Sequence, residues 1–309
     1  MSIIIWTIQL IIIPAMSPLF VGVIRKIKAK MQNRQGASIF QPYKDLRKLF
    51  NKDEVISSDA SWIFRQAPYI IFGATLVVGA IIPVFSAYVA NNYLSDFLVV
   101  VYLLALGTFF LALSGIDVGS AFGGFGSSRE MTVAALAEGG LIFSLLALAI
   151  ASHSSNLFQI SASISALSPA QFVPVLLAFS GFFLALLAEN GRFPFDNPAT
   201  HLELTMIHEA MILEYSGKRL ALIEWAAANK LLIFMALASN LFFPWGMASS
   251  LGAGAILIAL LIFIAKVLII CFGIAFLEST IAKLRFFRLP DLLFTSFILS
   301  VIAIGLLIS

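Results

Sequence analysis

Residues Leu251–Leu277 read LGAGAILIALLIFIAKVLIICFGIAFL, with Lys266 as the one charged side chain in the run. A hydrocarbon core of about 30 Å is crossed by roughly 20 helical residues. An apolar run of this length therefore reads as a membrane-spanning helix. Seven other segments have the same character: Ile3–Ile24, Tyr69–Ala90, Phe97–Ile116, Met131–Ser152, Phe172–Ala188, Trp225–Trp245 and Leu292–Ile308. Lipid offers no hydrogen bonds to the backbone, so each segment must be a helix rather than an open strand. Pro14, Pro18, Gly79, Pro83 and Pro174 interrupt them, which a helix bundle tolerates where neighbours resatisfy the freed carbonyls.

Composition agrees. Of 309 residues, 61% are apolar and 11% charged, where soluble domains carry roughly 25% charged residues. Mean hydropathy is +1.01. The expected fold is an all-α integral membrane protein of about eight transmembrane helices, forming a single membrane domain over residues 1–309. The first apolar stretch is followed by a basic cluster rather than preceded by one, so no cleavable signal peptide is expected. Nothing in the chain suggests nucleic-acid binding.

The charges fall on one side. All Lys and Arg residues except Lys230 and Lys266 lie in the connections after the first, third, fifth and seventh helices. The N-terminus and the connections near 91–96, 153–170 and 246–250 hold none. Basic residues stay cytoplasmic, so both termini are expected on the outer, periplasmic side of a cytoplasmic (inner) membrane. Two cytoplasmic insertions result, 25–67 and 189–224. In the first, Tyr43, Leu46, Leu49 and Phe50 recur at helical spacing, with Lys44, Arg47 and Lys48 between them. That pattern suits a helix in the membrane interface. The insertion is read either as a basic anchor or as a docking surface for a soluble partner.

Charges inside spans carry the functional signal. Burying Lys or Asp in a membrane helix costs around 2.5–3.5 kcal/mol. Lys266 lies twelve residues before Glu278, roughly 18 Å along a helix, and Glu138 lies about 12 Å beyond Glu130. Such groups either form sealed pairs or line a polar path; their number favours the path. The second insertion adds Glu189, Asp196, Glu203, Glu209, Glu214 and Glu224 against only Arg192, Lys218 and Arg219. Crowded carboxylates repel and are pushed toward neutral proton affinity. Asn197-Pro198 reads as a helix start, with Glu203, Ile207, Ala210 and Glu214 on one face. His201 and His208, seven residues and roughly 10 Å apart on a helix, are too distant to share a metal ion. Cys271 is the one cysteine, which excludes a cysteine-ligated cluster, and no metal or cofactor is expected in this chain. Gly119–Glu130 lacks the ending of a phosphate loop and reads as a reverse connection.

The loop motifs resemble a known family. NRQG (Asn33–Gly36), QPYKDLRK (Gln41–Lys48), AENGRFPFD (Ala188–Asp196) and EYSG (Glu214–Gly217) are similar to subunit 1 of respiratory complex I. SGIDVGSAF (Ser114–Phe122), GSSRE (Gly126–Glu130) and FLESTIAKLR (Phe276–Arg285) more closely resemble the membrane subunits of group 4 nickel–iron hydrogenases, of the formate hydrogenlyase and hydrogenase-4 type.

The resemblance implies a non-catalytic subunit of an oxidoreductase complex. Such a subunit docks a peripheral arm holding a nickel–iron centre and iron–sulfur clusters, in hydrogenase large and small subunits and an iron–sulfur subunit, and couples it to proton or sodium movement through antiporter-like membrane subunits. It implies an acidic path at Glu130, Glu138, Glu189, Glu203 and Glu214, with Arg192 and Asp196 shaping the loop. Lys266 and Glu278 match charged positions of the hydrogenase branch. Asn33, Arg34, Gln41, Asp45 and Lys48 fall in the motifs expected to meet the arm. This chain departs from the family in having Ala199 and His201 where glutamates are usual, and three extra residues before EYSG that bring His208 and Glu209. His201 is then the candidate to replace a carboxylate, since histidine titrates near neutrality. These departures favour a hydrogenase subunit over the quinone-chamber subunit of a complex I type dehydrogenase, the main alternative; the lack of an inverted internal repeat counts against a free-standing ion transporter.

Overall fold

The structure, a computed structural model, describes residues 2–86, 94–167, 172–196, 206–248 and 252–308. Among them eight helices are long and apolar enough to span a membrane. They are α1 (Ser2–Met31), α3 (Trp62–Ile81), α4 (Phe97–Asp117), α5 (Ala121–Ser152), α7 (Phe172–Glu189), α9 (Gly217–Leu241), α10 (Ala253–Thr280) and α11 (Leu289–Ile308). Three shorter helices join them: α2 (Gln41–Phe50), α6 (Leu157–Ile164) and α8 (His208–Ile212). Pairing between extended segments in this region is limited to the isolated bridges Ser86–Ala248 and Asp96–Asn156. The expected all-helical, multi-pass membrane fold is present.

Helix α5 packs against α4, α7 and α11, while α9 sits among α1, α3 and α10. In the most apolar window of α9, 61% of residues are buried, against 22% in α10 and in α11, so those two form an apolar outer face. The two ends of the bundle differ. At one, the Asp117 carboxylate accepts from the Ser61 N–H (2.9 Å), and Arg219 pairs with Glu54. At the other, the Phe97 N–H donates to the Ser155 carbonyl and the Ala248 N–H to the Phe85 carbonyl. The first is the charged end of the bundle.

Two prolines inside spans, Pro18 and Pro68, are matched by side-chain donors. Pro18 has no N–H to offer the carbonyl four residues earlier, and that carbonyl, of Pro14, accepts from Trp225 Nε1 at 2.9 Å. Pro68 likewise frees the Phe64 carbonyl, which accepts from the Tyr215 hydroxyl at 3.0 Å. The Tyr215 ring stacks on Phe64 with centroids 3.9 Å apart and planes 5° from parallel. Burial pushes the Tyr215 hydroxyl up to about 12, so it remains a donor throughout the physiological range.

Helix ends differ from the hydropathy reading where polar residues are themselves buried. α3 runs from Trp62 to Ile81 rather than Tyr69–Ala90: the Ser61 hydroxyl accepts from the Ile63 N–H, and Pro83 follows the end. α9 starts at Gly217 (φ +55°), so Lys218, Arg219 and Glu224 are helical. The glycine-rich stretch after Gly119, read as a reverse connection, is the first three turns of α5. Its glycines permit close crossing. A Cβ on Gly123 would lie 2.1 Å from the Gly115 carbonyl oxygen, and one on Gly126 2.8 Å from the Ala210 Cβ. α2 forms where the amphipathic pattern predicts, and its Tyr43 hydroxyl donates to the Ala15 carbonyl of α1.

Candidate functional site

A cavity of about 750 Å³ opens between α1, α3, α4, α7 and α9, capped by α8 and the end of α10. Its apolar wall comes from α3, α4 and α9, including Ile71, Leu104 and Leu231. Its polar wall gathers groups from helices far apart in sequence. Glu189, the last residue of α7, is buried and accepts from Lys230 Nζ at 2.8 Å. Lys230 also donates to Thr108 Oγ1 of α4 at 3.0 Å. Lys230 stands roughly 20 Å along α9 from its start, so this ion pair lies well within the span.

Glu278 closes the side toward α10. It is buried and accepts from both Lys28 (2.9 Å) and Arg192 (3.2 Å), while Lys28 also lies 4.8 Å from the centre of the Phe193 ring. Two cations on one carboxylate leave a positive surplus there. Across the cavity Glu130 is buried, and it makes no ion pair among the described residues. The Oε1 of Glu189 and the Oδ1 of Asn190 are buried acceptors with no hydrogen-bond partner among the described residues. Acceptors facing a polar cavity of this size are the setting in which water completes the bonding.

The rim carries titrating groups. Glu209 on α8 is pushed up to about 7, first by burial and then by repulsion from Glu224 and Asp196, with Arg25 opposing. His208 beside it is lowered to about 4 by burial, so at neutral pH it is uncharged. Asp196 stands behind this rim, accepting from Lys283 Nζ at 2.6 Å and from the His208 N–H at 3.2 Å, which ties the loop after α7 to α8. A group that titrates near neutrality at the rim of a cavity lined by carboxylates can exchange protons with it.

Of the sequence-predicted path residues, Glu130, Glu189, Glu209 and Glu278 line this cavity, with Arg192. Arg34 and Asp45 from the first insertion line its mouth. Glu138 lies further along α5, half-buried, outside the cavity. Glu214 is exposed on the turn after α8. Lys48 is exposed on α2, Gln41 donates to Asp45 at 2.8 Å, and Asn33 takes a left-handed turn conformation (φ 53°). His201 and Glu203, and the helix start at Asn197-Pro198, fall outside the described residues. Lys266 stands apart from the cavity. Its ammonium donates to the Phe243 carbonyl (2.6 Å) and to Asn240 Oδ1 (3.3 Å), where α9 ends.

Sequence reasoning did not assign a role to Lys230, Thr108, Lys28 or Glu224, all of which line the cavity. Lys230 had a signal, as one of two Lys residues inside a span; its partner is 41 residues away and only the fold joins them.

A profile of the NADH dehydrogenase family matches residues 3–309. The chain is 37% identical to hydrogenase-4 component C of Escherichia coli K12, covering 96% of this chain and 92% of that one. It is 32% identical to formate hydrogenlyase subunit 4 of the same organism, covering 96% of each. NADH-ubiquinone oxidoreductase chain 1 of Chondrus crispus is more distant, 29% identical over 71% of this chain and 68% of that one. In fold, a chain of the membrane-bound sulfane sulfur reductase, an archaeal respiratory membrane complex, superposes with a TM-score of 0.86 over 99% of both chains at 19% identity.

Proposed function

Since this chain belongs to the NADH dehydrogenase subunit 1 family, we propose that it is the membrane-anchoring and ion-coupling subunit of a membrane-bound nickel–iron hydrogenase complex. The observation that carries the reading is the cavity wall, where the Lys230–Glu189 pair faces uncommitted Glu130. Moving a charge on the rim changes the field on that pair. Glu130 is the carboxylate that faces this pair inside the span, and Glu138 lies further along α5. The charged end faces the cytoplasm of an inner-membrane protein, because it holds nearly all Lys and Arg.

The redox centres belong to partners: hydrogenase large and small subunits and an iron–sulfur subunit, with antiporter-like membrane subunits beside the bundle. An iron–sulfur cluster is usually held by four cysteine thiolates, and this chain has only Cys271, buried among apolar residues. The two relatives of highest identity reported above are named as hydrogenase-4 and formate hydrogenlyase components, which supports this branch. A second reading, the quinone-chamber subunit of a complex I type dehydrogenase, draws support from the size and apolar wall of the cavity.

Isolation of the intact membrane complex separates the two. Nickel and hydrogen-evolving activity in the preparation are expected; a flavin and tightly bound quinone in their place would replace the first reading with the second. Within the complex, Lys230→Met and Glu138→Gln should lower ion movement per electron transferred while subunit composition is unchanged. Full coupling in both variants would remove the path from the proposal.

A further inference from the structure

Helix α2 does not lie above the bundle. Its Tyr43 hydroxyl reaches the Ala15 carbonyl, near the middle of the 30-residue α1, and its Phe50 ring meets the Trp225 ring edge-on, with centroids 6.2 Å apart. Trp225 is itself roughly 12 Å along α9 from Gly217. The helix is thus pressed against the apolar length of two spans. Its outward side carries Lys44, Arg47 and Lys48, all exposed. None of these three side chains makes an ion pair or hydrogen bond among the described residues, and Asp45 on the same helix accepts from the Gln41 amide.

Between α2 and α9 lies an open cleft of about 560 Å³. Pro18 and Leu46 form its apolar floor, Trp225 and Tyr43 stand at its sides, and Arg47 and Asn51 mark its polar edge. Pro18 and Leu46 also line the large cavity, so the cleft borders it. An apolar slot with amphipathic aromatics at its sides and unpaired cations at one edge matches one kind of bilayer molecule. Zwitterionic headgroups bring a compensating cation; an anionic one does not.

We propose that this cleft is a binding site for one anionic phospholipid, its phosphate on Arg47 between Lys44 and Lys48 and an acyl chain along Pro18 and Trp225. The lipid then stands beside the cavity. Its negative charge offsets the basic face of α2, and its chain fills the apolar slot against Pro18 and Trp225.

The test uses the full chain with whatever subunits accompany it, exchanged into nanodiscs of phosphatidylethanolamine with or without phosphatidylglycerol and read by native mass spectrometry. One phosphatidylglycerol should remain bound at protein-releasing energies, in preference to phosphatidylethanolamine. Each basic residue near a membrane surface contributes about 1 kcal/mol. Arg47→Gln should therefore weaken retention about fivefold, and Lys44→Gln with Arg47→Gln about thirtyfold. Arg288→Gln, a change at an exposed residue before α11, should leave it unaltered. Equal retention of both lipids by the unmutated protein would overturn the proposal, a measurement independent of how any variant folds. Displacement of phosphatidylglycerol by soluble glycerol phosphate would reduce the site to a phosphate site and overturn it too. So would cross-links from Lys44 and Lys48 to a soluble subunit in lipid-free preparations of the complex.

Discussion

Tyr215→Phe deletes one oxygen from the contact between the second insertion and α3. The ring stack on Phe64 needs no hydroxyl and stays. What changes is the Phe64 carbonyl, left without a donor because Pro68 has none to give. Phe64 is 1% exposed and Tyr215 4%, so water does not replace the lost bond. An unsatisfied buried acceptor costs about 1–3 kcal/mol. The same cost should vanish when the helix supplies its own donor. In a Pro68→Ala background the restored N–H bonds the Phe64 carbonyl, and Tyr215→Phe should then cost no more than about 0.5 kcal/mol. The cycle therefore has a coupling of about 1–2 kcal/mol. Unfolding of the four proteins by titration of dodecyl sulfate into mixed micelles measures it. Because Tyr215 ionises only near 12, the result should not change between neutral and mildly alkaline pH. An equal loss in both backgrounds would refute the assignment of Tyr215 as the donor that compensates Pro68.

Two further outcomes follow from packing and from the rim. Gly123→Ala places a methyl 2.1 Å from the Gly115 carbonyl oxygen and should destabilise by about 1–3 kcal/mol, whereas Gly124→Ala, with nothing within 4 Å, should be neutral or gain up to about 1 kcal/mol of helix propensity. The same micellar unfolding assay distinguishes them. Glu209, raised to about 7, holds its proton in the folded protein at pH values where the unfolded chain has lost it. Its contribution therefore lowers stability as pH rises from about 4.5 to 7 and is fully expressed above that. Glu209→Gln should flatten this slope and stabilise the protein at pH 8 relative to pH 5 by about 1 kcal/mol, after discounting for partial solvent exposure.

Eight spans were legible because the cost of exposing a backbone to lipid leaves hydropathy little freedom. Their ends were less so. Lys218, Arg219 and Glu224 look like loop residues by polarity, yet they begin α9, since Glu224 faces the cavity and Arg219 is paired with Glu54. Gly119–Glu130 has the composition of a turn, and its glycines instead let α4, α5 and α8 approach. At the site, the acids announced themselves as charges in apolar company. Their partners did not: that Glu189 meets Lys230 while Glu278 takes two cations depends on which helices are neighbours. Lys266 was legible as a charge within a span, but its acceptors at the end of α9, the Phe243 carbonyl and Asn240 Oδ1, were not, because only the packing of α9 against α10 brings them together.

Those bonds join two consecutive spans. The carbonyl of Phe243 finds its donor not in the helix preceding it but in the one synthesised next. Asn240, which accepts from Lys266, also donates to the Pro83 carbonyl beyond α3. Until α10 follows α9, the Phe243 carbonyl lacks this donor, and without α9 Lys266 lacks these acceptors. The two helices are thus complementary as a hairpin, each supplying what the other lacks.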